Sequence, residues 1–230
     1  MKQARASCRE RFTADDLDFV AAAVQRSELS EDRAEPSTLH ALLAEPEALN
    51  AALESDKLLN AILDTPGNLP VSPQFYFYVL TRHMLLRFDR SVADYVASVL
   101  ASFTNLSGQE WTSHNHMPCV SDMLIALRSA SSEREFMIRV QIGNHSLFMS
   151  GIFPQHIAHR STHHAAPPLS FYEEVGSQNF RRASDHQLAR QQSLVDTYRT
   201  IAERFSEVRA GLNQLSDRLL CLEPSGSLPS

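Results

Sequence analysis

The sequence predicts an all-α fold: a single-domain helical bundle of eight to ten helices, with a long C-terminal helix. Two observations carry this. Glycine is scarce, 7 in 230 residues, while Leu, Ala, Arg, Glu and Gln are frequent, which favours helix over sheet. Apolar residues recur at three- and four-residue spacing, the period of a helix buried on one side. The one run that could be a buried strand, 75–80, has no partner strand nearby.

Residues 1–12 are charged and aperiodic and are expected to be disordered. Thr13 and Asp16 form a capping-box start, with acid in the first turn where the helix dipole favours it, and Leu17, Val20, Ala21 and Val24 give an apolar face. A polar linker follows, then a short helix at 37–45. Pro46 opens the next helix, expected to run to Asp64 with Leu49, Leu53, Leu59, Ile62 and Leu63 as its buried stripe. Pro66, Gly67 and Pro70 break the chain. Ser72 as cap and Pro73 as first residue start a helix that is apolar nearly all round, as a central helix is. Ser91 and Asp94 start another, with Val92, Tyr95, Val96, Val99, Leu100 and Phe103 on its face.

A polar loop at 105–119 carries the only tryptophan, Trp111, and a short helix spans 121–130. Ser132 and Glu135 read as a capping box for a long helix reaching Phe153, where Pro154 ends or kinks it. Residues 155–159 add at most a turn, and 160–169 read as a loop rich in histidine. Ser170 and Glu173 read as a further capping box for a helix to Ser184. The last helix is expected from 187 to 222, and 223–230 is a disordered tail. One helical domain, 13–222, results, with no internal repeat and no shift in composition.

A net charge of −6 argues against non-specific nucleic-acid binding, which needs a basic face. No apolar run approaches the roughly 18 residues that span a bilayer, and no secretory signal is visible, so no membrane partner and a cytoplasmic location are expected. Cys8, Cys119 and Cys221 are odd in number and far apart, which fits a reducing compartment rather than a disulfide framework or zinc knuckle.

Toward the C-terminus Leu194, Tyr198, Ile201, Phe205, Val208, Leu212, Leu215, Leu219 and Leu222 follow one another at alternating four- and three-residue steps without a fault. Such a seam keeps one apolar stripe facing a neighbour, either in the chain's own bundle or in a second copy or partner helix. Homodimerisation through this seam is the expected interaction.

In the block 143–176, Met137, Val140, Gln141, Asn144, His145, Phe148 and Ile152 lie along one side of the long helix. Glycine inside a helix costs about 1 kcal/mol relative to alanine, so Gly151 and, in the next helix, Gly176 are expected at close helix crossings. Phe148, Phe153, Tyr172 and Phe180 would fill around them. This stretch, Gly143-Asn144-His145-Ser146-Leu147 with Gly151-Ile152-Phe153-Pro154, then Phe171-Tyr172 with Gly176, resembles a group of bacterial helical proteins of unassigned activity. That group carries Gly-Asp-x-Ser-Leu, Gly-x-Phe-Pro and Tyr-Tyr-x-x-x-Gly elements; here Asn144 replaces the acid and Phe171 the first tyrosine. The resemblance covers about 40 residues. It implies a helical fold and a bacterial origin and no particular chemistry.

Ten histidines are the chemical lead. His156 and His159 are three apart, His159 and His163 four apart, spacings that put imidazoles on one side of a helix, as a metal needs. No carboxylate lies among them, so no cofactor is predicted and a metal is only a possible occupant. His114, His116 and Cys119 could make a soft site but lack a fourth ligand, and His83 reads as a hydrogen-bonded bundle residue. No Gly-x-Ser-x-Gly elbow surrounds Ser146 or Ser150, and no phosphate loop or dinucleotide fingerprint occurs. Arg160, Arg181, Arg182 and Arg190 could meet an anion or an acidic partner.

The expectation is a non-enzymatic cytoplasmic protein that self-associates. The alternative is a metal- or small-ligand-binding helical enzyme, with Asn144, His145 and Tyr172 as polar groups in an otherwise apolar pocket near 143–154.

Overall fold

The computed structural model describes residues 11–25, 45–64, 70–85, 87–104, 119–164 and 166–217. Among them there is no strand; they form twelve α-helices and one short 3-10 turn, Leu127–Ser129. The all-α class holds. The helix count exceeds eight to ten because two helices expected to be continuous are broken and one stretch read as loop is helical. The expected helix at 37–45, the Trp111 loop and both expected disordered ends, beyond Arg11 and Phe12, lie outside the described residues.

The chain divides into two compact units, Ser7–Thr104 and Met1–Ala6 with Asn105–Ser230, where the sequence suggested no boundary inside 13–222. In the first, α1 (Ala14–Gln25) begins with the expected box: the Asp16 N–H donates to Thr13 Oγ1 at 3.2 Å and the Thr13 N–H to Asp16 Oδ2 at 2.8 Å. The fully buried Asp16 carboxylate also accepts from the Ser72 N–H at 2.6 Å and the Ser72 hydroxyl at 2.7 Å. Ser72 itself caps the Phe75 N–H, and Pro73 opens α4 (Pro73–Met84). One carboxylate thereby organises the starts of two helices, whose first N–H groups have no partner within the helix.

Between them the expected helix from Pro46 is two, α2 (Pro46–Leu53) and α3 (Asp56–Leu63), because Ser55 leaves the helix to cap Leu58 at 3.3 Å. The break changes the phase of the buried stripe: Leu53, Leu58 and Ile62 are buried, and Leu63, expected inside, is 44% exposed. The central helix α4 buries Phe75, Phe77, Tyr78, Val79 and Leu80 and packs most extensively on α5 (Arg90–Thr104). Phe12 sets its ring edge-on to Phe75 and Tyr78, with centroids 5.2 and 5.3 Å away.

The second unit is built on two antiparallel helices, α7 (Ser132–Ile152) and α9 (Leu169–Ser184). Before them, α6 (Val120–Ala126) packs on α7; between them lies α8 (Pro154–His163). The C-terminal part, expected as one long helix, is three: α10 (Gln187–Gln191), α11 (Val195–Glu203) and α12 (Phe205–Leu215). Ser193, at φ 55°, turns the chain between α10 and α11, and Arg204 (φ −117°, ψ 32°) breaks it between α11 and α12. A seam of constant spacing does not detect such breaks, since each piece keeps the phase of its own apolar face. α11 lies against α9 and α12 against α7.

Two expected capping boxes of the second unit are not formed, and in the first unit α5 opens at Arg90, so Ser91 lies inside its first turn and not before it. Ser131, not Ser132, precedes the first turn of α7; Ser132 turns its hydroxyl to His186 Nε2 at 2.9 Å, and Glu135 pairs with Arg139. Pro168 precedes α9, and Glu173 is drawn away to Arg209 at 2.6 Å. In both cases a pairing partner remote from the helix start competes with the local cap.

Candidate functional site

The glycines of the 143–176 block sit where helices meet. A Cβ on Gly143 would lie 2.9 Å from the Phe180 ring of α9. On Gly151 it would lie 2.7 Å from Leu212 Cβ of α12, and on Gly176 it would lie 2.5 Å from Phe205 Cζ and 2.9 Å from Ser146 Cβ. Gly143 facing Phe180 and Ser146 facing Gly176 fix the antiparallel register of α7 and α9. Gly151 and Gly176 are thus at close crossings, as their cost in a helix suggests, and the aromatic filling comes from Phe180 and Phe205.

Ser146 and Ser150 are fully buried. The Ser150 hydroxyl donates to Ser146 O at 2.6 Å, whereas the Ser146 hydroxyl has no hydrogen-bond partner among the described residues. At the other end of this helix pair Arg139 bridges Glu135 and Asn179 Oδ1. Phe136 stacks on His186 at 5.0 Å. The His186 Nδ1 accepts from the Leu188 N–H, so Nε2 carries the proton and donates to Ser132.

Asn144 and His145 are buried on α7, and Tyr172 is half-buried on α9. Helical spacing divides them. Asn144 is seven residues before Gly151 and shares the side of α7 that meets Leu212. His145 follows the stripe of Ile138 and Ile142, which together with Val120 and Met123 form a small apolar cluster. Tyr172 packs against that cluster with Phe171 and Val175. Burial lowers the His145 pKa to about 4, so the ring is neutral at pH 7. Burial pushes the Tyr172 hydroxyl up; Arg160 offsets part of this and Cys119 adds to it. The exposed Cys119 thiol lies 3.6 Å from Ser121 Oγ.

The histidine segment is helical, correcting the loop expected from 160: α8 continues to His163, with the Ser161 and Thr162 hydroxyls on Ala158 O. His156, His159 and His163 are all exposed on it. Among the described residues no three metal-capable side chains form a cluster. His114 and His116 lie outside the described residues; His83 donates from Nδ1 to Val79 O at 2.8 Å, as a bundle histidine does. Of the four arginines, Arg160 stands beside Tyr172, while Arg181 and Arg182 are exposed in the last turn of α9 and Arg190 is exposed on α10. Nine residues of helix, about 13 Å, separate Tyr172 from Arg181.

The seam residues Leu194, Tyr198, Ile201, Phe205, Val208, Leu212 and Leu215 are all buried within the chain's own helices, and Leu219 and Leu222 lie outside the described residues. A second charged site had no signal in the sequence. The Glu54 carboxylate accepts from Arg82 Nε at 3.0 Å and Arg90 Nε at 2.7 Å, and Arg82, only 6% exposed, reaches Phe88 O as well. Burial alone would raise the Glu54 carboxyl, but the hydrogen bonds and charges of Arg90 and Arg82 outweigh it and hold it below its ordinary value.

No protein-family model, no curated protein and no solved structure matches this chain. Among the described residues no helix is long and apolar enough to cross a membrane.

Proposed function

We propose that this is a non-enzymatic cytoplasmic protein that works through protein contacts and self-associates. The observation carrying this reading is that the second unit leaves Ile125 61% and Met137 40% exposed on α6 and α7, while its seam is used inside the chain. Large exposed apolar side chains favour association when they share a surface. The proposed self-contact uses Ile125 and Met137 and not the seam through Leu215. Light scattering on the eluting protein at micromolar concentration tests it. The expected mass is twice the 25.8 kDa chain, falling to one chain in Ile125→Glu or Met137→Glu. A wild-type protein of single-chain mass would overturn the reading.

A second reading is supported by the neutral, buried His145 and the raised Tyr172: a small-ligand site on the α7 side facing α6. Native mass spectrometry of the untagged protein would then show an added mass that His145→Ala and Tyr172→Phe each remove. A bare chain mass would count against it.

A further inference from the structure

We propose that His159 and His163 form a chelating site for a borderline divalent transition metal such as Zn²⁺. The two residues stand four apart on α8, both exposed, with their rings stacked at 4.3 Å between centroids and planes 24° from parallel, so that His159 turns out of the stack when both rings meet one ion. One helical turn of separation lets two imidazoles reach a single ion. The tautomer of His163 is set by the backbone. Its Nδ1 lies 2.9 Å from His159 O, and a carbonyl can only accept, so Nδ1 carries the proton. The Nε2 lone pair of the neutral ring is then left for a ligand, the same arrangement in which metal-binding histidines donate their other nitrogen to a carbonyl. Turning the His159 ring leaves the bond from His163 Nδ1 to the His159 carbonyl in place, because that bond uses the backbone of His159 and not its ring. His164, with its centroid 6.2 Å from that of His159, is next to the pair, and water completes the coordination. Imidazole donors without a carboxylate suit Zn²⁺, Cu²⁺ or Ni²⁺ and not Ca²⁺ or Mg²⁺. The site is independent of the protein-contact reading.

The experiment is calorimetric titration of the untagged full chain with ZnCl₂, repeated with CaCl₂. One Zn²⁺ per chain is expected, weakened at least about tenfold in His159→Ala and in His163→Ala, with no Ca²⁺ binding and no change in His156→Ala. Both variants are on an exposed helix surface, and circular dichroism verifies that they fold. Absence of Zn²⁺ binding, undiminished binding in the His159→Ala/His163→Ala double variant, or an equal loss in His156→Ala would each overturn the proposal.

Discussion

A single methyl group is enough to test the packing of the second unit. In Gly176→Ala the new carbon would enter the van der Waals space of Phe205 and Ser146 together, at 2.5 and 2.9 Å. Two different helices are involved, so no single rotamer change relieves both; a loss of about 1–3 kcal/mol is expected in urea unfolding. Ser146→Ala should behave oppositely. It removes a buried hydroxyl with no partner among the described residues, and its stability should be equal to or above wild type. His145 adds a pH dependence. Its folded-state value of about 4 lies below the ordinary 6.5, so protonation favours the unfolded chain. Stability is full above pH 6.5 and falls as pH drops from there toward 4, by on the order of 3 kcal/mol. His145→Gln should flatten that part of the profile.

At the level of elements, the Glu54 side chain joins the end of α2 to the end of α4 and the start of α5. Glu54→Gln leaves the buried Arg82 guanidinium without its counter-charge and should cost about 2–4 kcal/mol. Arg90→Ala, at a side chain 43% exposed, should cost under about 1 kcal/mol. Because the Glu54 value is lowered on folding, its contribution is present above the unfolded value near 4.5 and is lost as pH falls below it, a window that opens as that of His145 closes. Comparing the acid limbs of the two variants by denaturant unfolding checks both. The elements themselves were legible where the signal is local: Thr13 with Asp16, Ser72 with Pro73, the stop at Pro154, the small residues at Gly151 and Gly176. They were not legible where a distant partner takes over a side chain, as His186 takes Ser132 and Arg209 takes Glu173. Nor does spacing report a backbone break between two apolar faces in phase, as at Arg204. Of the candidate site, burial of Asn144 and His145 followed from their place on a central helix; their division between two sides of α7 depends on which helices flank it.

At the scale of the molecule, charge is unevenly divided. Residues 7–104 carry 15 acidic and 8 basic side chains, a net −7, and the remaining 12 acidic and 13 basic side chains sum to +1, so the chain's −6 comes from the first unit. The second unit is near neutral and presents Ile125 and Met137. A near-neutral surface with exposed apolar groups associates with little sensitivity to ionic strength, so under the proposed self-association a doubled mass should persist from 50 to 500 mM salt, roughly a threefold change in Debye length. Dissociation by salt would instead point to the arginines as the contact.

The buried carboxylate of Asp16 is also a clock. Its partner at Thr13 is three residues away, but the two at Ser72 are 56 away, so two of its three hydrogen bonds wait until the intervening chain has been closed into a loop. Contacts of that separation form late unless they belong to the folding nucleus. Asp16→Asn should therefore speed unfolding far more than it slows folding, and Thr13→Ala, which removes only the local bond from the Asp16 N–H to Thr13 Oγ1, should shift the folding limb of the chevron proportionately more.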